Sequence, residues 1–128
     1  VSRLARQKNL TLMLEAFARI ARPGDRLEIA GEGGERPRLE RKIAALGLRE
    51  SVTLLGHLAD IRPLLDRSDV LVLSSDYEGV PAVVPEALAA GRPIAATDCC
   101  VSMRWLLQDG EFGVLAPVRD ADAFGQAM

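Results

Sequence analysis

The chain has 128 residues, enough for one hydrophobic core and too few for two ordinary domains. Apolar residues make up 48% and charged residues 27%, the balance of a globular protein, while aromatics reach only 4%, so Leu, Val, Ile and Ala must build the core. A net charge of −2 excludes a broad nucleic-acid-binding surface, and no apolar run approaches the roughly 20 residues that span a bilayer.

The opening Val1-Ser2-Arg3-Leu4-Ala5-Arg6 lacks the apolar stretch of a secretory signal, which leads to the expectation of a cytoplasmic protein. Leu10, Met13, Leu14, Phe17 and Ile20 then recur at helical spacing, with Asn9 or Thr11 as cap and Pro23-Gly24 as stop. Leu27-Glu28-Ile29-Ala30 reads as a short buried strand running into Gly31-Glu32-Gly33-Gly34. A charged helix follows over 35–46, burying Leu39, Ile43 and Leu46 and closing at Gly47. Val52 to Leu55 is the next strand, and a short helix over 61–67 leads to Val70-Leu71-Val72-Leu73. That last strand is apolar on both faces, as expected inside a parallel sheet covered by helices. After the loop Ser74 to Pro81 come a helix to Ala90, the strand Pro93 to Ala96, a helix over 102–107, the strand Gly113 to Ala116 and a helix from Asp120. Such alternation predicts right-handed βαβ units: an α/β, Rossmann-like open parallel sheet with helices on both faces. No linker, internal repeat or low-complexity segment interrupts it.

In such sheets ligands bind beyond the carboxyl ends of the strands. The loop Ser74 to Pro81 is the richest candidate there, because it follows the most buried strand and opens a helix whose free N–H groups suit a phosphate or polar sugar. Gly79 lets the backbone approach a ligand, and Glu78 and Glu86 offer carboxylates able to accept from vicinal hydroxyls. The Glu-x7-Glu spacing says little by itself, since Glu32 and Glu40 share it. Arg3, Arg6 and Lys8 cluster where cations oppose a helix dipole, a conflict that a bound diphosphate would relieve.

Other patterns have plainer readings. Gly31-Glu-Gly-Gly-Glu-Arg resembles a dinucleotide fingerprint, but Arg36 stands at the third glycine position. Asp120-Ala-Asp122 matches the Asp-x-Asp of metal-dependent sugar transferases, and helix capping explains it better. The single histidine, His57, reads as an ordinary loop residue. Cys99 and Cys100 are adjacent, have no metal-ligand spacing around them, and read as two reduced thiols.

The ordered series Ser2-Arg3-Leu4 with Lys8-Asn9, Leu14-x-Ala16-Phe17, Leu27-x-Ile29-Ala30-Gly31-x-Gly33, Val52-x-Leu54-x-Gly56, Leu73-Ser74-Ser75-x-x-Glu78-Gly79-x-Pro81, Glu86-Ala87-Leu88-Ala89-x-Gly91-x-Pro93 and Gly113-x-Leu115 resembles the C-terminal, donor-binding domain of glycosyltransferase family 4, the group 1 glycosyl transferases of GT-B architecture. The resemblance implies retaining transfer from a nucleotide diphosphate sugar, with no metal or other cofactor. Arg3 and Lys8 would face the diphosphate, Glu78 the donor-sugar hydroxyls and Glu86 the ribose. Backbone around Gly79, Val80, Pro81, Ala82 and Val83 would approach the donor, with Ser75 and Gly31 as further contacts.

The same resemblance implies one nucleotide-sugar-binding domain truncated at both ends, lacking its N-terminal acceptor domain and inactive alone. The full-length enzyme would be cytoplasmic or peripheral to a membrane. The expected first strand ends at Val1, so an exposed strand edge, reduced stability or self-association is expected. Three departures stand out: Ser2 stands where the family often has Gly, a mild change; Pro85 before Glu86 requires a place in the first helical turn; and Trp105 replaces an acidic residue in a segment, Cys100 to Trp105, that would reshape the donor-facing loop. The alternatives are a GT-B-like module that has lost donor binding, and half of a related nucleotide-sugar epimerase or phosphorylase.

Overall fold

Apolar periodicity becomes helices and strands in the expected order in the computed structural model, which describes residues 1–128. Helix α1 (Leu10–Ile20) buries Leu10, Met13, Leu14 and Phe17 together with Leu12 and Ala16. Asn9 caps it from the left-handed region, φ +43°, its carboxamide oxygen accepting from the Leu12 N–H at 3.4 Å. The basic cluster before it forms a short 3-10 turn, Arg6–Lys8. Then come β1 (Leu27–Ala30), α2 (Arg36–Ala45), β2 (Val52–Gly56), α3 (Arg62–Arg67) and β3 (Leu71–Leu73). The second half holds α4 (Val83–Ala89), β4 (Ile94–Thr97), α5 (Val101–Leu106), a 3-10 turn at Gln108–Gly110, β5 (Gly113–Ala116) and α6 (Ala121–Ala127). Gly47 and Gly91 stop α2 and α4 at φ +70° and +68°.

All strand pairs are parallel, with helices against them, so the α/β class stands. The strands nevertheless form two hydrogen-bonded groups rather than one sheet: β1 with β2, and β3-β4-β5. Leu27 pairs with Val52 and Ala30 with Gly56, across a register irregularity after Ile29. In the other group Leu73 pairs with Ala96, and Thr97 with Ala116. Between β1 and β3 lies a cavity of about 610 Å³, lined by Leu27 and Ile29 on one side, Leu71 and Leu73 on the other, with Met13 and Phe17 of α1.

The core is correspondingly double. Leu4, the buried face of α1, Leu27, Ile29, Leu39, Ile43, Val52 and Phe124 form one cluster. Leu65, Leu71, Leu73, Val84, Ala87, Ile94, Ala96, Met103 and Leu107 form the second. The parallel pairing sends the loops after β1, β2, β3 and β4 to one end, which is where the candidate polar residues collect.

Candidate functional site

At the carboxyl end of β3 the chain leaves the sheet at Ser74, which is buried, as is Ser75. The loop that follows is held against the 3-10 turn Arg6–Lys8. Ser74 Oγ donates to the Lys8 carbonyl at 2.8 Å, and the Asp76 N–H donates to the Gln7 carbonyl at 2.9 Å. Asn9 Nδ2 donates to Asp76 Oδ1 at 2.8 Å, and Gln7 Nε2 to the Tyr77 carbonyl at 3.1 Å. Arg119 pairs with the other Asp76 oxygen at 3.1 Å.

This stapling brings Lys8 onto Glu78. Lys8 Nζ lies 2.5 Å from Glu78 Oε1, and the two side chains are only 18% and 8% exposed. Ser75 Oγ donates to the same oxygen at 2.6 Å. Oε2 faces only Gln7 Nε2, at 3.5 Å, the outer limit of a hydrogen bond. Each charge is shielded from water and neutralised by the other; removing one partner of such a pair strands a buried charge, at a cost of about 3–5 kcal/mol. Lys8 therefore joins the acidic loop directly, with one of the three donors of its ammonium group directed at Glu78.

Beyond Glu78 the backbone opens. Gly79, Val80 and Ala82 are exposed while Pro81 is buried. No backbone acceptor takes the N–H groups of Gly79, Val80, Ala82 or Val83, which leaves four donors along one short stretch. A β-carbon added at Gly79 would meet nothing within 4 Å. Pro85 is the third residue of α4, inside the first turn, where an N–H has no intrahelical acceptor and its loss costs no ladder bond. Glu86 follows, exposed and free of ion pairs.

Arg3 and Gly31 sit in a separate, smaller hollow of about 330 Å³ with Ser2, Glu32, His57 and Leu58. Arg3 is exposed and makes no ion pair. Gly31 has a local reason to be glycine: Ser2 and Leu4 run alongside the end of β1, the Ser2 N–H donating to the Ala30 carbonyl at 2.9 Å and the Leu4 N–H to Glu32 at 2.8 Å. A β-carbon at Gly31, φ +140°, would fall 1.7 Å from the Ser2 carbonyl oxygen.

The departing segment forms α5, joined to the acidic loop by Ser102 Oγ, which donates to the Gly79 carbonyl at 2.7 Å. Trp105 on that helix is 77% exposed. Asp98 pairs with Arg104, whose hydrogen bond holds the carboxyl below the usual range. Both cysteines are free thiols. Burial, then Cys100, pushes the Cys99 thiol up to about 12, and Glu78 adds to the shift, which places Cys99 in the field of the site carboxylate. Asp120 caps α6, accepting from the N–H groups of Asp122 and Ala123, as the capping reading expected.

Sequence reasoning gave no role to Gln7 or Arg119, placed Asp76 and Thr97 only among the polar residues beyond the strand ends, and for Asn9 foresaw only its capping role. Their partners lie at least 22 residues away, so no local pattern announces them. Asn9 alone carried a signal, because asparagine tolerates the left-handed backbone that turns it toward Asp76.

Residues 1–128 match the family model of the group 1 glycosyl transferases. Among curated relatives, the lipopolysaccharide core biosynthesis glycosyltransferase LpsE of Rhizobium meliloti is 34% identical over 128 residues, covering all of this chain and 37% of LpsE. Alpha-D-kanosaminyltransferase of Streptomyces kanamyceticus is 35% identical over 121 residues, 91% of this chain and 31% of that enzyme. Among solved structures, Anabaena Alr3699/HepE in complex with UDP superimposes with a TM-score of 0.89 at 27% identity, over 98% of this chain and 35% of that one. The pneumococcal O-GlcNAc transferase GtfA, in complex with UDP and GlcNAc, gives 0.87 at 27% identity, over 98% and 26%. The chain thus spans about a third of the length of these relatives. It belongs to the group 1 glycosyl transferases and has the α/β fold of GT-B enzymes.

Proposed function

From this membership we propose that residues 1–128 are the nucleotide-sugar-binding domain of a retaining glycosyltransferase of family 4, the C-terminal half of a two-domain enzyme whose other half binds the acceptor. The observation that carries the reading is the joining of a basic turn to an acidic loop, Lys8 on Glu78 at 2.5 Å, beside four backbone N–H groups without acceptors. A nucleotide diphosphate sugar has matching parts: hydroxyls for a carboxylate and phosphate oxygens for cations and amides. Alr3699/HepE and GtfA, each solved with UDP, support that class of donor.

In the proposed reaction the bond between the sugar C1 and the diphosphate breaks while C1 bonds the acceptor oxygen, whose proton passes to the diphosphate. Arg3 and Lys8 would stabilise the negative charge that develops on the departing diphosphate. Glu78 would hold donor-sugar hydroxyls, and the exposed Glu86 the ribose. Side-chain cations would serve here in place of a metal; Asp120 is spent on a helix cap and Asp122 on Arg19.

Calorimetric titration of the full-length natural chain with UDP, GDP, dTDP and their common sugar conjugates tests the reading. At least one conjugate is expected to bind, and Glu86→Ala and Lys8→Ala are each expected to weaken it by about tenfold, as loss of a charged hydrogen bond would. A folded protein that binds none of them would instead be a module that has kept the fold and lost the donor site.

A further inference from the structure

A hydroxyl two steps behind the acidic loop shapes the site without facing it. Thr97 is the last residue of β4 and fully buried. Its neighbour strand β3 stops at Leu73, paired with Ala96, so the backbone ladder supplies nothing for the chain beyond. Thr97 Oγ1 extends the ladder with a side chain: it lies 2.6 Å from the Ser75 carbonyl and 3.4 Å from that of Leu73. A hydroxyl has one proton, and the shorter contact claims it. Ser75, 1% exposed, is thereby fixed at the point where its own Oγ donates to Glu78 Oε1 at 2.6 Å. Lys8 takes the same oxygen at 2.5 Å. Two strong donors on Oε1 lock the carboxylate plane and leave Oε2 with nothing nearer than Gln7 at 3.5 Å.

We propose that Thr97 is a positioning residue: through Ser75 it orients Glu78 so that Oε2 is presented to the sugar of the donor. The proposal rests on the donor-binding reading above and assigns the chain Thr97–Ser75–Glu78 to the sugar alone, leaving the nucleotide to other groups. It therefore predicts a selective effect. A Thr97→Val side chain fills the same volume without a hydroxyl, so Ser75 loses its clamp while the packing stays.

The test uses the full-length natural chain and the tightest binder among UDP-glucose, UDP-N-acetylglucosamine, GDP-mannose and dTDP-glucose, each compared with its nucleoside diphosphate. The readout is the ratio of the two dissociation constants, which a general loss of stability leaves unchanged. Thr97→Val and Ser75→Ala are each expected to shift that ratio about tenfold toward the nucleoside diphosphate, in the direction of Glu78→Ala, with nucleoside diphosphate affinity held within about twofold. Thr97→Ser, which keeps the hydroxyl, is expected to hold the wild-type ratio. A Thr97→Val protein with an unchanged ratio, or one that loses both ligands in equal proportion, overturns the proposal. Should Thr97→Val not fold, Thr97→Ala compared with Thr97→Ser decides it, since only the first removes the hydroxyl that holds the Ser75 carbonyl. A ratio moved by Glu78→Ala but by neither Thr97→Val nor Ser75→Ala refutes the relay alone; no binding of any conjugate by the wild type refutes the donor-binding reading and the relay with it.

Discussion

Replacing Gly31 by alanine should damage the fold rather than the chemistry. The added β-carbon would sit 1.7 Å from the Ser2 carbonyl oxygen, well inside any attainable contact, at a backbone φ of +140°. A side chain held in that sparsely populated region costs about 1–3 kcal/mol. Relief of the overlap requires Ser2 to move, which breaks its N–H bond to Ala30 and removes about 1 kcal/mol more. Together with the displacement of Leu4, which is fully buried in the first core cluster, the loss should reach about 3 kcal/mol or more, a large share of the 5–15 kcal/mol typical of a domain. Gly79→Ala is the matched control, with no positive φ and open space around it, and should fall within about 0.5 kcal/mol of the wild type. Urea unfolding followed by circular dichroism measures both. A Gly31→Ala midpoint close to that of Gly79→Ala would show that the approach of Ser2 does not dictate the glycine.

Other outcomes follow from single contacts. Cys99 keeps its proton in the folded chain up to about pH 12, whereas an unfolded thiol loses it near 9.0. The unfolded state therefore binds fewer protons between those values, and stability, fully present below pH 9.0, should fall as pH rises toward 12. Cys99→Ala should flatten the unfolding midpoint over that window, and an equally steep decline in the variant would sink the assignment. Asp120→Ala should cost about 1 kcal/mol through loss of the α6 cap, with Asp120→Asn nearly neutral, as read by calorimetry. Residues 1–128 produced alone should self-associate, because β1 and β3 face a 610 Å³ cavity with no hydrogen bond between them. Sedimentation showing one monomeric species at every concentration would count against this.

The order of elements was legible because each rests on local physics. Leu10 to Phe17 repeat at helical spacing, Gly47 and Gly91 stop helices, and Pro85 occupies the one part of α4 that tolerates it. The strand ends, the carboxyl-side loops and the acidic loop after β3 follow from the same periodicity. What stayed hidden depends on distant chain meeting distant chain. Gly31 was read as a donor contact, and its neighbour Ser2 supplies a local reason for the residue that only the folded backbone reveals. Thr97 looked like the polar end of a strand, and its bond to Ser75 spans 22 residues.

The two Glu-x7-Glu pairs show how far spacing alone can mislead. Glu32 and Glu40 sit four residues to either side of Arg36 and both pair with it at 3.1 Å, on an exposed surface where such pairs contribute a few tenths of a kcal/mol. Both carboxylates are thus anchored to a single guanidinium, on side chains more than half exposed to water. Glu78 instead meets a lysine 70 residues away, out of water, with Ser75 on the same oxygen and its second oxygen nearly unengaged. Glu86 makes no ion pair and stands exposed on the first turn of α4. The pair at 78 and 86 is therefore distinguished from the pair at 32 and 40 by its setting, a shielded carboxylate anchored by Lys8 and Ser75 and a run of amides without backbone acceptors, which is the setting the proposed donor would use.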